Sequence, residues 1–294
     1  MIPNAIAVAN GKGGCGKTSL VANMTGIAAL SGWRVLAVEL DSQGNLGLDY
    51  GLRQAGRSDD GEGLLEAVRK GLPVQPISQV RPRLDVVPAG DATDDLVAIL
   101  ASRASRDRDA LRALEDVISP IALSYDLVVF DSPPHTGTIQ DATLIASHYL
   151  VIPTTFDKGS IDGLTKIAKR VSSIRTLNPD LELLGVVLFN FAAQATAMTA
   201  EVRRKIADGL GEIAPVLQPP IRSSPKSASD MREYGFLAHE YEAQADSAPA
   251  WYEGGTTRYS RAAPRLAGDY QQLTDAILHA YRTAVLAATG GGSP

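Results

Sequence analysis

The sequence predicts an α/β fold: a mostly parallel central sheet flanked by helices on both faces. Three observations predict it. Short apolar runs recur along the chain, and most are continuously apolar rather than alternating, as strands covered on both faces require. Segments of helical periodicity fill the intervals, so strand and helix alternate over most of the length. A glycine-rich loop joins the first apolar run to the first helical segment.

The strand candidates, in order, are "AIAVAN" (5–10), "RVLAVEL" (34–40), "LDVVPA" (84–89), "YDLVVFD" (125–131), "YLVIPTT" (149–155) and "LLGVVLFN" (183–190). The first helix, from about Thr18 to Ser31, places Leu20, Val21, Met24, Ile27 and Ala28 on one face and stops at Gly32. Further helical candidates lie at about 94–119, 159–176, 198–210 and 265–288. Three stretches read as loops or insertions: the polar, glycine-rich 53–63, the mixed-charge 102–109, whose charges also suit a solvated helix face, and 242–264. With no repeat or linker, residues 1–288 form one expected domain, followed by a disordered tail at 289–294.

Composition narrows the class. The chain has 294 residues, 45% hydrophobic and 21% charged, which suits a folded globular protein and not a disordered one. No run approaches the ~18 apolar residues of a membrane span. The start, "MIPNAIAVAN", lacks the basic region and cleavage site of a secretory signal. A single cysteine, Cys15, rules out an internal disulfide or a multi-cysteine metal site within one chain. These features point to a cytoplasmic location. The net charge of −5 is uneven: residues 1–150 hold 13 Lys and Arg against 18 Asp and Glu, and the remainder 15 against 15. Any nucleic-acid contact must therefore use a local patch rather than a basic domain.

The segment Gly11–Thr18, "GKGGCGKT", satisfies G-x-x-x-x-G-K-[ST] between a strand and a helix. At the ordinary glycine frequency, a chance match in a chain this long is on the order of one in a hundred. Glycines let backbone N–H groups close around phosphates, and the following helix adds a favourable dipole. Lys17 is expected on the β- and γ-phosphates and the Thr18 hydroxyl on Mg²⁺, which makes the expected fold a P-loop NTPase. Gly11, Lys12, Gly13, Gly14, Cys15, Gly16, Lys17, Thr18 and Ser19 are the expected nucleotide-binding residues.

The loop's extra lysine, Lys12, resembles the signature lysine of the deviant Walker A motif in the ParA/MinD family. In that family this lysine crosses a dimer interface to the partner's nucleotide, neutralising charge much as an arginine finger does. "VLAVELDSQGNLGLDYG" (35–51) is similar to the family's second motif, and maps its catalytic acid, near the attacking water, onto Asp41. Glu39 stands where the family's earlier acid is Asp, which leaves its role open, and Ser42 replaces the usual Pro. "YDLVVFDSPPHTG" (125–137) resembles the Walker B strand and switch II, with Asp131 organising Mg²⁺ through water. His135 occupies a position often held by a small residue. Later matches are looser: "LELLGVVLFN" implies Asn190 as an adenine contact, and "PPIRSSPKSASDMREYG" (219–235) resembles the segment before the family's basic residues.

The resemblance implies a ParA-type ATPase for plasmid or chromosome partition, most like members lacking an N-terminal helix-turn-helix domain. It implies a homodimer formed with ATP and Mg²⁺, binding non-specific DNA in the nucleoid and released when a ParB-type activator stimulates slow hydrolysis. Catalysis would fall to Lys12, Lys17 and Asp41, and metal binding to Thr18 and Asp131. Arg222, Lys226, Arg232, Arg258, Arg261 and Arg265 are the candidate DNA contacts, although six acids share their span and cancel its charge. The alternatives are a MinD-like membrane-cycling or protein-cargo-positioning ATPase, and a metabolic P-loop kinase. Arg282 is the one basic residue after Asp275, too few for a membrane-binding amphipathic helix. The "QGN" segment and Lys12 argue against the kinase.

Overall fold

The computed structural model describes residues 1–134, 137–155, 158–191, 215–248, 259–260 and 262–290. Strand β1 (Ile2–Val8) leads into α1 (Lys17–Leu30), β2 (Val35–Glu39), α2 (Asn45–Asp49), α3 (Glu62–Lys70), β3 (Ile77–Arg81), β4 (Leu84–Val87) and α4 (Ala92–Ala104). A 3-10 turn at Arg108–Arg112 precedes α5 (Ala113–Ala122), β5 (Leu127–Asp131), α6 (Gly137–Ala146), β6 (Ser147–Thr155), α7 (Lys158–Ile174) and β7 (Glu182–Phe191). Then come β8 (Val216–Arg222), α8 (Pro225–Tyr234), α9 (Ala238–Ser247) and α10 (Ala263–Gly290).

The described strands form one sheet in the order β3-β4-β2-β5-β1-β6-β7-β8. All neighbours are parallel except β3 and β4. The P-loop NTPase architecture expected from the sequence is the one observed. The six continuously apolar runs are the interior strands, whose residues are buried on both faces. The two strands absent from the sequence reading are the two edges. β3, "ISQVR", has only Val80 buried, and β8, "VLQPPIR", carries two prolines, which is how edge strands are built. The helical candidate at 94–119 is two helices, because the charged "SRDRD" interrupts it at 105–109. The loop at 242–264 begins as the last turns of α9. The helix expected at 198–210 lies outside the described residues.

Alternation along the strands sorts side chains to two faces. Ile6, Val8, Val35, Ala37, Leu127 and Val129 pack toward α1, α9 and α10. Leu36, Val38, Val128 and Phe130 pack toward α3, α4 and α5, while Ala7, Leu150, Ile152 and Leu188 meet α7. Burying each of the Val, Leu, Ile and Phe side chains contributes about 1.5–3 kcal/mol. Sequential strands lie on opposite sides of β1, with β5 and β2 to one side and β6 to the other. The carboxyl ends of β1, β2, β5, β7 and β8 therefore converge at one edge of the sheet, where α/β folds bind ligands.

Candidate active site

The phosphate loop turns from β1 into α1 through two left-handed glycines, Gly14 at φ +72° and Gly16 at φ +87°. Gly16 is required twice over: a Cβ there would meet the buried Phe189 ring at 2.4 Å. The loop is braced by its own atoms. The Lys17 ammonium, largely buried, donates to the Lys12 carbonyl at 3.0 Å, and the Cys15 thiol bonds the same oxygen at 3.2 Å. Burial pushes the Cys15 thiol up, against the lowering influence of Lys17.

Asn10, not singled out in the sequence reading, anchors the loop to its neighbours. Its amide nitrogen donates to the Pro153 carbonyl on β6 at 2.6 Å, and its oxygen accepts from the Lys12 N–H at 3.0 Å. Gly163 of α7 closes over this bond, and a Cβ there would come within 2.6 Å of the Asn10 oxygen. The sequence shows only a polar residue ending an apolar strand next to the loop; its full burial is seen only in the structure.

A cavity of about 810 Å³ opens beside the loop, within the range of small-molecule sites. Gly13, Gly14, Gly16, Lys17, Thr18 and Ser19 line it on one side, with Asp41 and Asn190 on others. Gly11, Lys12 and Cys15 are not part of its wall. Asn190 sits at the end of β7 with φ +59°, exposed at the mouth. Phe189, Tyr270 and Met231 supply apolar wall.

Asp131 ends β5 fully buried, and neither carboxylate oxygen has a hydrogen-bond partner of normal geometry among the described residues. Burial pushes its pKa up to about 7, against the pull of the neighbouring Thr18 hydroxyl and the Lys17 charge. A buried, unpartnered carboxylate beside a threonine hydroxyl is a donor set suited to a hard, water-bearing cation. Thr18 and Asp131 therefore fit Mg²⁺, which when bound would neutralise phosphate charge.

Glu39 is the register partner of Asp131 on the adjacent strand, so both side chains share the face toward α1. It is fully buried, and burial together with the Asp131 charge raises its pKa to about 8, against three backbone N–H donors. It accepts from Leu46 N–H at 2.6 Å, Gly47 N–H at 3.2 Å and Ala89 N–H at 3.2 Å.

Of the candidate DNA contacts, Arg222 and Arg232 line the cavity itself. Arg222 forms a two-pronged pair with Asp269 at 2.5 and 2.6 Å, Lys226 pairs with Asp230 at 2.8 Å, and Arg232 pairs with Asp49 at 2.8 Å. Arg265 is exposed without an ion pair among the described residues. Arg258 and Arg261, like His135, lie outside the described residues.

The AAA domain family model AAA_31 matches residues 3–183, more than half of the chain. The chain belongs to the ParA/MinD family. The chromosome partitioning protein ParA of Myxococcus xanthus is 32% identical over 195 residues, covering 65% of this chain and 66% of that protein. Caulobacter vibrioides ParA is 34% identical over 190 residues, 62% of this chain and 68% of that one. The alignments thus span about two thirds of these relatives' own length. In three dimensions, a Cyanothece McdA–ATP complex superposes with a TM-score of 0.73 at 19% identity, covering 94% of this chain and 95% of that one. The Pyrococcus furiosus cell division ATPase MinD gives 0.62 at 18%, covering 95% and 99%. Both show the shared fold. Among the described residues no helix is long and apolar enough to cross a membrane.

Proposed function

We propose that this chain is a ParA-type partition ATPase that binds Mg²⁺ and ATP, dimerises around the nucleotide and holds non-specific DNA until a ParB-type partner triggers hydrolysis. One observation carries the reading: of the two lysines in the phosphate loop, Lys17 lines the cavity of its own chain and Lys12 does not. A lysine fixed to the loop by Asn10 but outside its own site is suited to a second copy's nucleotide. Two triphosphates brought face to face need that added positive charge.

Within one site, glycine amides and Lys17 would hold the phosphates and Asn190 would meet the base. Thr18 and Asp131 would hold the metal. Asp41, at the cavity wall, would orient the attacking water. The reaction is γ-phosphoryl transfer to water, which depends on positioning and charge neutralisation more than on covalent help. The relatives named ParA support partition as the setting; the chain would then work in the cytoplasm on the nucleoid.

Sedimentation with ATP, ADP or no nucleotide, with and without random-sequence DNA, tests this reading. A dimer that forms with ATP and then binds DNA in a salt-dependent manner is expected. A chain that stays monomeric when saturated with an uncleavable analogue overturns it. Binding to anionic liposomes in place of DNA would instead favour a membrane-cycling ATPase.

A further inference from the structure

The loop 40–45 carries Asp41 from the end of β2 to the start of α2. Inside it, Asp41 makes two local bonds: its Oδ1 accepts from Gln43 N–H at 3.1 Å and its carbonyl from Gly44 N–H at 2.9 Å. These shape the turn around Asp41 but do not tie it to the rest of the molecule. Two ties come from outside the turn: Leu40 N–H donates to the Asp131 carbonyl at 3.1 Å, and Glu39 holds the far end. One carboxylate oxygen holds the Leu46 amide, and the other holds both Gly47 and Ala89. A single buried group thus joins three segments: the end of β2, the first amides of α2, and the chain just past β4.

We propose that Glu39 is a positioning residue that clamps the Asp41 segment and so sets where Asp41 meets the nucleotide. Glu39 is fully buried and absent from the cavity wall, so it acts through Asp41 and not on a ligand. Length matters. Three of the carboxyl group's roughly four acceptor positions are committed to amides, and aspartate, one methylene shorter, is expected to lose either the α2 amides or Ala89. The effect on turnover rests on the ATPase reading above, whereas the clamp itself does not.

The test compares Glu39→Asp, Glu39→Gln and Asp41→Ala in the full chain, together with the double variant Glu39→Asp/Asp41→Ala. Glu39→Asp is expected to keep its affinity for an uncleavable ATP analogue while kcat falls roughly 10- to 100-fold, as for ~1 Å misplacements of reacting groups. KM should stay near the wild-type value. Backbone amides of 41–49 and of Ala89 should exchange with deuterium faster than in the wild type, and those of the phosphate loop should not. Glu39→Gln keeps the reach but turns one acceptor into a donor, so it should weaken the same amides and serves if Glu39→Asp fails to fold. The double variant should be no slower than Asp41→Ala alone.

Wild-type turnover in the Glu39 variants, or a loss of analogue affinity in step with turnover, overturns the proposal. So does further slowing in the double variant. A wild-type chain that does not hydrolyse ATP sinks the ATPase reading. The amide-exchange arm then still decides the clamp, and unchanged protection at 41–49 overturns it.

Discussion

Asp49 and Arg232 meet at 2.8 Å across 183 positions of sequence, and the pair joins α2 to α8 along the wall of the cavity beside the phosphate loop. Burial raises the Asp49 carboxyl, and the Arg232 hydrogen bonds and charge oppose that rise. Arg232 itself is 43% exposed, which softens the value of the pair. Removing the cation strands a nearly buried carboxylate. Arg232→Ala should cost about 1–2 kcal/mol in urea unfolding, less than a fully buried pair would. Asp49→Asn in the same background should recover part of the loss. A double-mutant cycle without coupling would show the pair to be incidental.

Lys12→Ala removes a charge without disturbing the Asn10–Lys12 backbone bond, so the monomer should fold and bind nucleotide as before. ATP-dependent dimerisation should be lost, and phosphate release should drop about 10³-fold or more, the scale of an arginine finger. Light scattering with an uncleavable analogue reads the first effect and a phosphate-release assay the second.

Gly16→Ala places a side chain at φ +87°, where L residues cost about 1–2 kcal/mol, and drives a methyl into the Phe189 ring. The loop must shift, and nucleotide affinity should fall by about tenfold or more. Fluorescent-analogue titration checks it. Adding Phe189→Ala relieves the clash but not the backbone strain, so rescue should be partial.

Asp131 offers a test of site chemistry against stability. Its folded-state pKa of about 7 stands above the ordinary 3.8. The group therefore stabilises the fold below pH ~4, and that stability is lost as pH rises through 7. Asp131→Asn should melt higher than the wild type at pH 8 in metal-free buffer, by less at pH 5, and should abolish Mg²⁺-dependent hydrolysis. A variant that melts lower at pH 8 would contradict the assigned burial penalty.

Glu240 responds in the opposite sense. Burial works to raise its carboxyl, but the Arg81 hydrogen bonds, the Leu237 amide and the Arg81 charge outweigh it and hold it below the usual range. Its pair with Arg81, at 2.5 and 3.0 Å, also ties α9 to the Tyr50 and Gly235 carbonyls through the same guanidinium. The stability it adds is present above pH ~4.5 and lost as pH falls below that value. Glu240→Gln should therefore lower the melting temperature by a few degrees at pH 7, and the gap should close toward pH 3.

The interior strands and the phosphate-loop motif were legible in the sequence because each depends on local pattern, whereas Asp41 and Asp131 were proposed from the motifs that resemble the family's. A short run apolar on every residue and bounded by turn residues suits a strand covered on both faces, and G-x-x-x-x-G-K-[ST] between strand and helix suits a phosphate loop. The edge strands β3 and β8 were not legible, since half-exposed strands admit polar residues and proline. Asn10, Glu39 and the Asp49–Arg232 pair were hidden for a further reason. Their partners are backbone amides, carbonyls and side chains brought close by the sheet order, and a backbone amide leaves no trace in residue identity. The linear chain by itself determined the fold class and the phosphate-loop motif at the end of β1. Only tertiary structure decided which buried polar groups hold that chemistry in place, because hydrogen bonds between distant segments form only once the sheet has set the strands side by side.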